Sequence, residues 1–161
     1  MSIADRIIDN ALRRAPDFII GGADRPYLLR WWLIPRNVLF NAYLHNFMRS
    51  DDDRAHHDHP WLFNFSWHLR DGYIEHTISS GGVTVKVHRK AGDWKFRWGP
   101  APHRVELLPD GNGGELPCWT LFITGPRVRE WGFYCGERGW IHWKRFTAAD
   151  DPGAVGKGCD A

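Results

Sequence analysis

Short β-prone segments dominate this chain from Tyr27 onward, and they constrain its fold more than any other feature. Each segment is rich in apolar and aromatic residues, and Gly, Pro, Asp or Asn separates it from the next, which is typical of an all-β sandwich or barrel. The pattern predicts ten strands, at residues 27–34, 38–49, 61–70, 73–78, 83–88, 93–98, 103–108, 117–124, 130–135 and 140–146. We therefore expect an all-β fold with no second domain.

The two ends of the chain lack this pattern. Residues 2–14 predict a helix, with Ser2 as N-cap and Asp5 as its capping-box partner. One face of this helix carries an apolar stripe formed by Ile3, Ile7, Ala11 and Leu12. Residues 147–161 are rich in small residues without an apolar period, so we expect a disordered tail. The sequence thus predicts a single domain over residues 1–146.

Size and charge exclude several classes of partner. The 161 residues suit one domain with its own core, and Lys plus Arg exceed Asp plus Glu only by 21 to 19. Because no basic stripe accompanies this balance, we expect no nucleic-acid partner. The longest strongly apolar run, residues 31–34, is far shorter than the ~20 residues of a membrane helix, and no signal-peptide pattern is present. We expect a cytoplasmic protein that does not enter a membrane.

The cysteine pattern predicts neither a disulfide framework nor a Cys-ligated zinc site. Cys118, Cys135 and Cys159 are odd in number and contain no CxxC pair. Cys118 lies in an apolar run and is expected to be a small buried residue.

The segment His57-Asp58-His59 is the strongest indication of chemistry. Side chains two positions apart on a β-strand point to the same face, so His57 and His59 can bind one metal ion while Asp58 points away. A further histidine, His103, follows the turn-like segment 98–102.

These residues resemble the two signature motifs of the cupin superfamily. The His57-Asp58-His59 triplet corresponds to the first motif, and in the second motif a Gly precedes the metal His by eleven residues, as Gly92 precedes His103. The resemblance covers roughly residues 40–125. It implies a double-stranded β-helix, or jelly-roll, barrel that binds one divalent metal ion, and a homodimer formed through sheet edges.

The resemblance departs from the usual cupin pattern at the acidic ligand. Cupin first motifs place a Glu four or five residues after the second His, where this chain has Phe63 and Asn64. The remaining set of His57, His59 and His103 is similar to the three-His iron site of the thiol dioxygenases. This implies Fe(II) with open coordination positions and a small anionic substrate. Imidazole ligands also suit Zn, Ni or Mn, so the metal stays open.

Glu75 is a further candidate metal ligand. A hairpin folded about Ser80-Gly81 predicts that Glu75 faces Lys86, on the side opposite Val83, Val85 and Val87, where a cross-strand ion pair is the ordinary explanation. If the polar side of this hairpin lines the barrel interior instead, Glu75 would face the metal.

Four residues are candidates for substrate binding: Arg49 and Arg104 as carboxylate partners, and Trp61 and Tyr134 as walls of the pocket. The expected function is a metal-dependent oxidoreductase, a mononuclear non-haem iron dioxygenase that acts on a small anionic substrate. A zinc-dependent sugar isomerase or epimerase, and a cupin that binds a small molecule without catalysis, remain the alternatives.

Overall fold

The structure is a computed structural model that describes residues 1–51, 55–147 and 156–160. Two helices and twelve strands lie in these ranges, together with short 3-10 helices at Gly136–Arg138 and Gly158–Asp160. The elements are α1 (Ile3–Ala11), β1 (Phe18–Ile20), β2 (Leu28–Trp32), β3 (Asn41–Phe47), β4 (His56–His57), β5 (Phe63–Arg70), β6 (Tyr73–Ile78), β7 (Thr84–Arg89), β8 (Trp94–Trp98), β9 (His103–Leu107), β10 (Cys118–Thr124), β11 (Gly132–Tyr134), β12 (Trp140–His142) and α2 (Trp143–Phe146).

The strands form two six-stranded antiparallel sheets. The order in the first sheet is β1-β2-β3-β10-β5-β8, and the order in the second is β12-β11-β4-β9-β6-β7. This arrangement confirms the all-β prediction. Two short strands, β1 and β4, were not among those predicted, and residues 143–146 form a helical turn where a strand was expected. Among the described residues, no helix is long and apolar enough to cross a membrane.

Helix α1 covers the outer face of the first sheet. Ser2 and Asp5 form the predicted capping box, and Asp5 also accepts a hydrogen bond from Arg70 of β5 at 2.9 Å. The buried face of α1 differs from the predicted apolar stripe, because Ile3 and Leu12 are 69% and 57% exposed. The residues that pack this face together are Ile8, Ala11, Trp31, Leu44, Leu69 and Trp119.

The hairpin of β6 and β7 differs by one residue from the predicted register. The backbone N–H of Ser79 donates to the carbonyl of Val83 at 2.9 Å, so the turn contains three residues. Gly81 and Gly82 make this possible with φ values of 105° and 79°, which favour glycine. Glu75 therefore pairs with Val87 and not with Lys86. Because a one-residue slip exchanges the faces of a strand, Glu75 points into the barrel and is fully buried.

The C-terminal segment corrects two expectations. Residues 148–155 and 161 of the predicted disordered tail lie outside the described residues, but Gly158–Asp160 forms a 3-10 helix. Cys159 in that helix is disulfide-bonded to Cys135, so the expectation that no disulfide forms was wrong. An odd number of cysteines still leaves two that can pair, and the third, Cys118, is free and buried as expected.

Candidate metal centre

Three histidines converge between the two sheets. His57 ends β4, His59 follows two residues later, and His103 begins β9 directly opposite His57. Their ring nitrogens that could act as ligands all lie within 4.8 Å of one another. The Nε2 atoms of His59 and His103 are 2.9 Å apart. Zn–N bonds of about 2.0–2.1 Å place neighbouring ligand atoms roughly 3 Å apart, so this pair fits a shared ion.

Asp58 holds the loop between the two motif histidines in place. Its fully buried carboxylate accepts hydrogen bonds from Arg129 at 2.7 Å, the backbone N–H of Gly132 at 2.8 Å and the indole of Trp140 at 3.2 Å. The side chain thus points away from the histidine cluster, although β4 itself ends at His57. This anchoring presents both motif histidines to the same cavity.

Burial favours the neutral, metal-binding form of His59 and His103 by lowering the pKa of each. Burial lowers the pKa of His103 to about 3, and the charge of Arg97 acts in the same direction. Burial also lowers the pKa of His59 well below its usual value, with His103 and His57 contributing. Neutral imidazoles leave their lone pairs free for a metal at neutral pH.

Two carboxylates face the outer ring nitrogens of the cluster. Glu75 Oε1 lies 3.4 Å from His103 Nδ1, and Asp51 Oδ2 lies 3.9 Å from His57 Nδ1. His103 Nδ1 is buried and makes no hydrogen bond of regular geometry to a described residue. The Glu75 carboxylate is the acceptor that faces it. Carboxylates in this position fix the tautomer and ring orientation of metal-binding histidines.

Buried Arg97 and half-buried Arg89 pair with Glu75, which argues against the prediction that Glu75 is a metal ligand. Arg97 contacts Oε1 through Nε at 2.6 Å, and Arg89 contacts Oε2 at 2.7 Å. Burial alone would raise the pKa of Glu75, but His103 and Arg97 together bring it well below its usual range. Among the described residues, the group that could share an ion consists of His57, His59 and His103.

The position of the usual cupin Glu is occupied by residues that cannot supply a charge. Asn64 is fully buried, and its Oδ1 lies 3.4 Å from an Nη atom of Arg97. Phe63 stacks on Phe96 of the neighbouring strand. A metal ion held only by the three histidines would therefore keep its full positive charge.

The histidine cluster opens into a cavity of about 390 Å³. This size lies within the usual range for small-molecule sites. Its wall is largely aromatic and draws on both sheets, with Tyr27, Phe47, Tyr73, Phe122, Trp131 and Phe133 among the lining residues.

Arg30 and His45 also line the cavity, and Arg30 is not among the residues predicted from the sequence. Arg30 Nε donates to His45 Nε2 at 2.9 Å, and its guanidinium lies 4.9 Å from the ring centre of Tyr43. Among the described residues, no carboxylate pairs with Arg30, and burial lowers its pKa to about 10. The position of Arg30 as the one charged residue within the apolar run 28–32 could have identified it from the sequence as a cavity residue.

The predicted substrate-binding residues divide into two groups. Arg49 and Trp61 line the cavity, and the Trp61 ring lies 5.3 Å from that of His59. Arg104 points out of the barrel toward His76 and Glu106, because it alternates with the inward-facing His103. Tyr134 likewise lies on the other face from the cavity-lining Phe133, with its hydroxyl 3.5 Å from Asp58. Neither Arg104 nor Tyr134 lines the cavity.

The two antiparallel sheets thus enclose a cluster of three histidines that could hold a metal ion. No protein-family model and no curated protein sequence matches this chain. Solved structures do match its fold. Oxalate decarboxylase from Bacillus subtilis, studied for its Mn(II) centres, matches with a TM-score of 0.52 and 17% identity over 78% of this chain.

Two further structures are similar. Fe(II)-HppE with the alternative substrate (S)-1-HPP matches with a TM-score of 0.50 and 15% identity over 69% of this chain. Hydroxypropylphosphonic acid epoxidase from S. wedmorenis matches with a TM-score of 0.49 and 15% identity over 69% of this chain. The present chain spans 58% of the Fe(II)-HppE chain, 57% of the epoxidase and 31% of the oxalate decarboxylase. At these identities the likeness to the oxalate decarboxylase and Fe(II)-HppE structures concerns the fold alone, and it supports the cupin fold that the sequence motifs indicate.

Proposed function

We propose that this protein is a mononuclear metal-dependent enzyme of the dioxygenase type, which uses Fe(II) and acts on a small anionic substrate. The observation that carries the proposal is the set of three clustered histidines without a carboxylate among them, placed in the same cavity as Arg30. When bound there, a ferrous ion supplies redox chemistry and coordination positions that the protein leaves open.

The other residues of the cavity bind and orient the substrate and exclude water. Arg30 binds the anionic group of the substrate, because a guanidinium without a carboxylate partner can donate two parallel hydrogen bonds to a carboxylate. His45 accepts from Arg30 Nε and so fixes the plane of the guanidinium. The aromatic wall excludes water from the reacting groups. This wall favours a small apolar anion over a sugar, which needs many hydrogen-bonding partners.

Nitric oxide tests the site without knowledge of the substrate, because it binds Fe(II) only where a coordination position is open. The protein is loaded anaerobically with Fe(II) and titrated with nitric oxide, and the nitrosyl complex is measured by electron paramagnetic resonance. We expect about one nitrosyl iron per chain in the wild type and in His88→Ala, an exposed histidine of β7. The signal should be absent from His59→Ala and His103→Ala.

Oxygen consumption then tests the reaction class. Small carboxylates and thiols are screened on an oxygen electrode with Fe(II)- and Zn(II)-loaded protein. Uptake by the Fe(II) form alone, lost in Arg30→Gln, is the expected result. Failure of the wild type to bind nitric oxide, or turnover that Zn(II) supports without oxygen, would contradict the proposal.

A further inference from the structure

A second pocket of about 450 Å³ adjoins the histidine cavity. It lies beside the loop that connects β2 to β3, and Asn37 and Asn41 hold this loop through hydrogen bonds to its backbone. We call it the outer pocket. Its lining includes three arginines and three aromatic residues, namely Arg30, Arg36, Arg127, Trp32, Tyr43 and Trp61.

The positive charge of the outer pocket is poorly compensated. No acidic residue within the described ranges lines it. Arg127 is paired with Glu130 at 3.0 Å, but neither Arg30 nor Arg36 has a carboxylate partner among residues 1–51, 55–147 and 156–160. Arg36 instead lies 5.4 Å from the ring centre of Trp32. Two neighbouring cations that face one pocket without a counter-charge repel each other, and a bound anion relieves this repulsion.

The outer pocket and the histidine cavity share part of their walls. Phe18, Arg30, Pro60 and Trp61 line both. One face of this shared wall thus lines the histidine cavity, and the other lines the outer pocket with Arg36 and Arg127. The two pockets are therefore neighbours that share a wall.

We propose that the outer pocket is a subsite for the phosphate group of a phosphate monoester. The three arginines suit phosphate, which carries about −1.5 to −2 charge and three strong acceptor oxygens. Arginine is also the residue best shaped for bidentate contacts to phosphate, and its guanidinium stacks on aromatic rings as Arg36 does on Trp32. The catalytic use of this subsite depends on the proposed function, but phosphate binding itself needs no metal.

Phenyl phosphate is a suitable probe, because it combines the charge with an aromatic ring. Its affinity is measured by isothermal titration calorimetry on metal-free protein, with benzoate and inorganic phosphate in parallel. We expect saturable binding by the wild type, with affinity highest for phenyl phosphate, lower for inorganic phosphate and lowest for benzoate. Arg36→Gln should weaken phenyl phosphate about tenfold or more, as expected for loss of a charged hydrogen bond. Arg138→Gln, the same charge change at an exposed arginine paired with Asp160, should bind like the wild type.

Several outcomes would overturn the proposal. These are absence of saturable binding by the wild type, equal affinity in Arg36→Gln and Arg138→Gln, and tighter binding of benzoate than of phenyl phosphate. Phosphate binding that requires Fe(II) and disappears in His57→Ala would place the phosphate at the histidines. This result would contradict the outer subsite but not the proposed metal site.

Arg36→Lys serves as a second variant if Arg36→Gln folds poorly, because lysine keeps the charge but lacks the planar guanidinium. A partial loss of affinity for phenyl phosphate in Arg36→Lys is expected if Arg36 makes bidentate contacts to the phosphate. Shifts of the Trp32 and Trp61 indole N–H resonances provide an independent readout.

Discussion

At the scale of single residues, Glu75 connects the histidine cluster to the polar interior of the barrel. Its carboxylate contacts Arg97 and Arg89 and lies 3.4 Å from His103 Nδ1. Glu75 is fully buried, and the side chain of Arg97 is only 2% exposed. A buried charge that loses its partner is costly, so both the stability of the barrel and the orientation of His103 depend on this carboxylate.

Replacing Glu75 by Gln should therefore affect both folding and metal binding. We expect Glu75→Gln to lower the free energy of unfolding by about 3–5 kcal/mol, because Arg97 remains buried without a counter-charge. The affinity for Fe(II) should fall roughly 10–100-fold, because His103 loses its orienting partner. Urea denaturation and metal titration measure the two effects. Glu106→Gln serves as control, because the Glu106 carboxylate is 36% exposed on the outer face of β9, where it contacts His76, Lys86 and Arg104; it should cost less than Glu75→Gln. Equal effects of both variants would contradict the role of Glu75.

The sequence predicted the three histidines but not their surroundings. His57 and His59 were predicted from their alternation on a strand, and His103 from its spacing of eleven residues after Gly92. The predicted pairing of Glu75 with Lys86 was wrong, because the turn after Ile78 has three residues, which sequence alone does not distinguish from a two-residue turn. Of the two orientations that the sequence left open for Glu75, the inward one is observed. Arg30 escaped notice because its burial depends on the pairing of β2 with β3, which brings it next to His45.

At the scale of elements, helix α1 is attached to the first sheet through its own N-terminus. Asp5 completes the capping box with Ser2 and contacts Arg70 of β5. Hydrogen bonds from Ser2 and then Arg70 lower the pKa of Asp5 from 3.8 to about 2. A carboxyl whose pKa is lowered on folding stabilises the protein above its unfolded pKa and loses this contribution as the pH falls through the folded value.

Asp5→Asn should therefore destabilise the protein in a pH-dependent way. The difference in unfolding free energy between wild type and Asp5→Asn should be full above about pH 4 and shrink as the pH falls toward 2. Asp9→Asn removes the same charge from an exposed position of the same helix and serves as the control. Urea denaturation at a series of pH values measures both. A constant difference for Asp5→Asn over this range would contradict the capping contribution.

Strands were easier to predict than their ends and partners. Runs such as residues 73–78 have β-branched and aromatic residues bounded by turn residues, and β6 has these bounds. β1 has only three residues and depends on pairing with β2. Residues 143–146 carry aromatic residues that suit a strand, but in the structure Trp143 stacks on Trp131 and Phe146 on Phe133 from a helical turn.

At the scale of the whole molecule, the disulfide joins the C-terminal segment to the second sheet. Cys135 and Cys159 are separated by 24 residues in sequence. They belong to a small core with Ala55, Ile141 and Phe146, and Phe133 packs against this core while also lining the histidine cavity. The disulfide thus stabilises one wall of the candidate site.

Cys159→Ser should lower the free energy of unfolding by about 3 kcal/mol, the value expected for a closed loop of this length. Cys135→Ser and the double variant should show the same loss, because either change removes the same covalent link. Thermal denaturation with and without a reductant measures it, and the reductant should affect only the wild type. Rapid alkylation of both thiols in the folded, oxidised wild type would show that the link is absent.

The metal content of the purified protein tests the central claim most directly. After loading with Fe(II) and removal of excess metal, elemental analysis should give about one iron per chain for the wild type and for His88→Ala, and much less for His57→Ala, His59→Ala and His103→Ala. A wild type without tightly bound metal, or histidine variants that retain it, would contradict the three-histidine site.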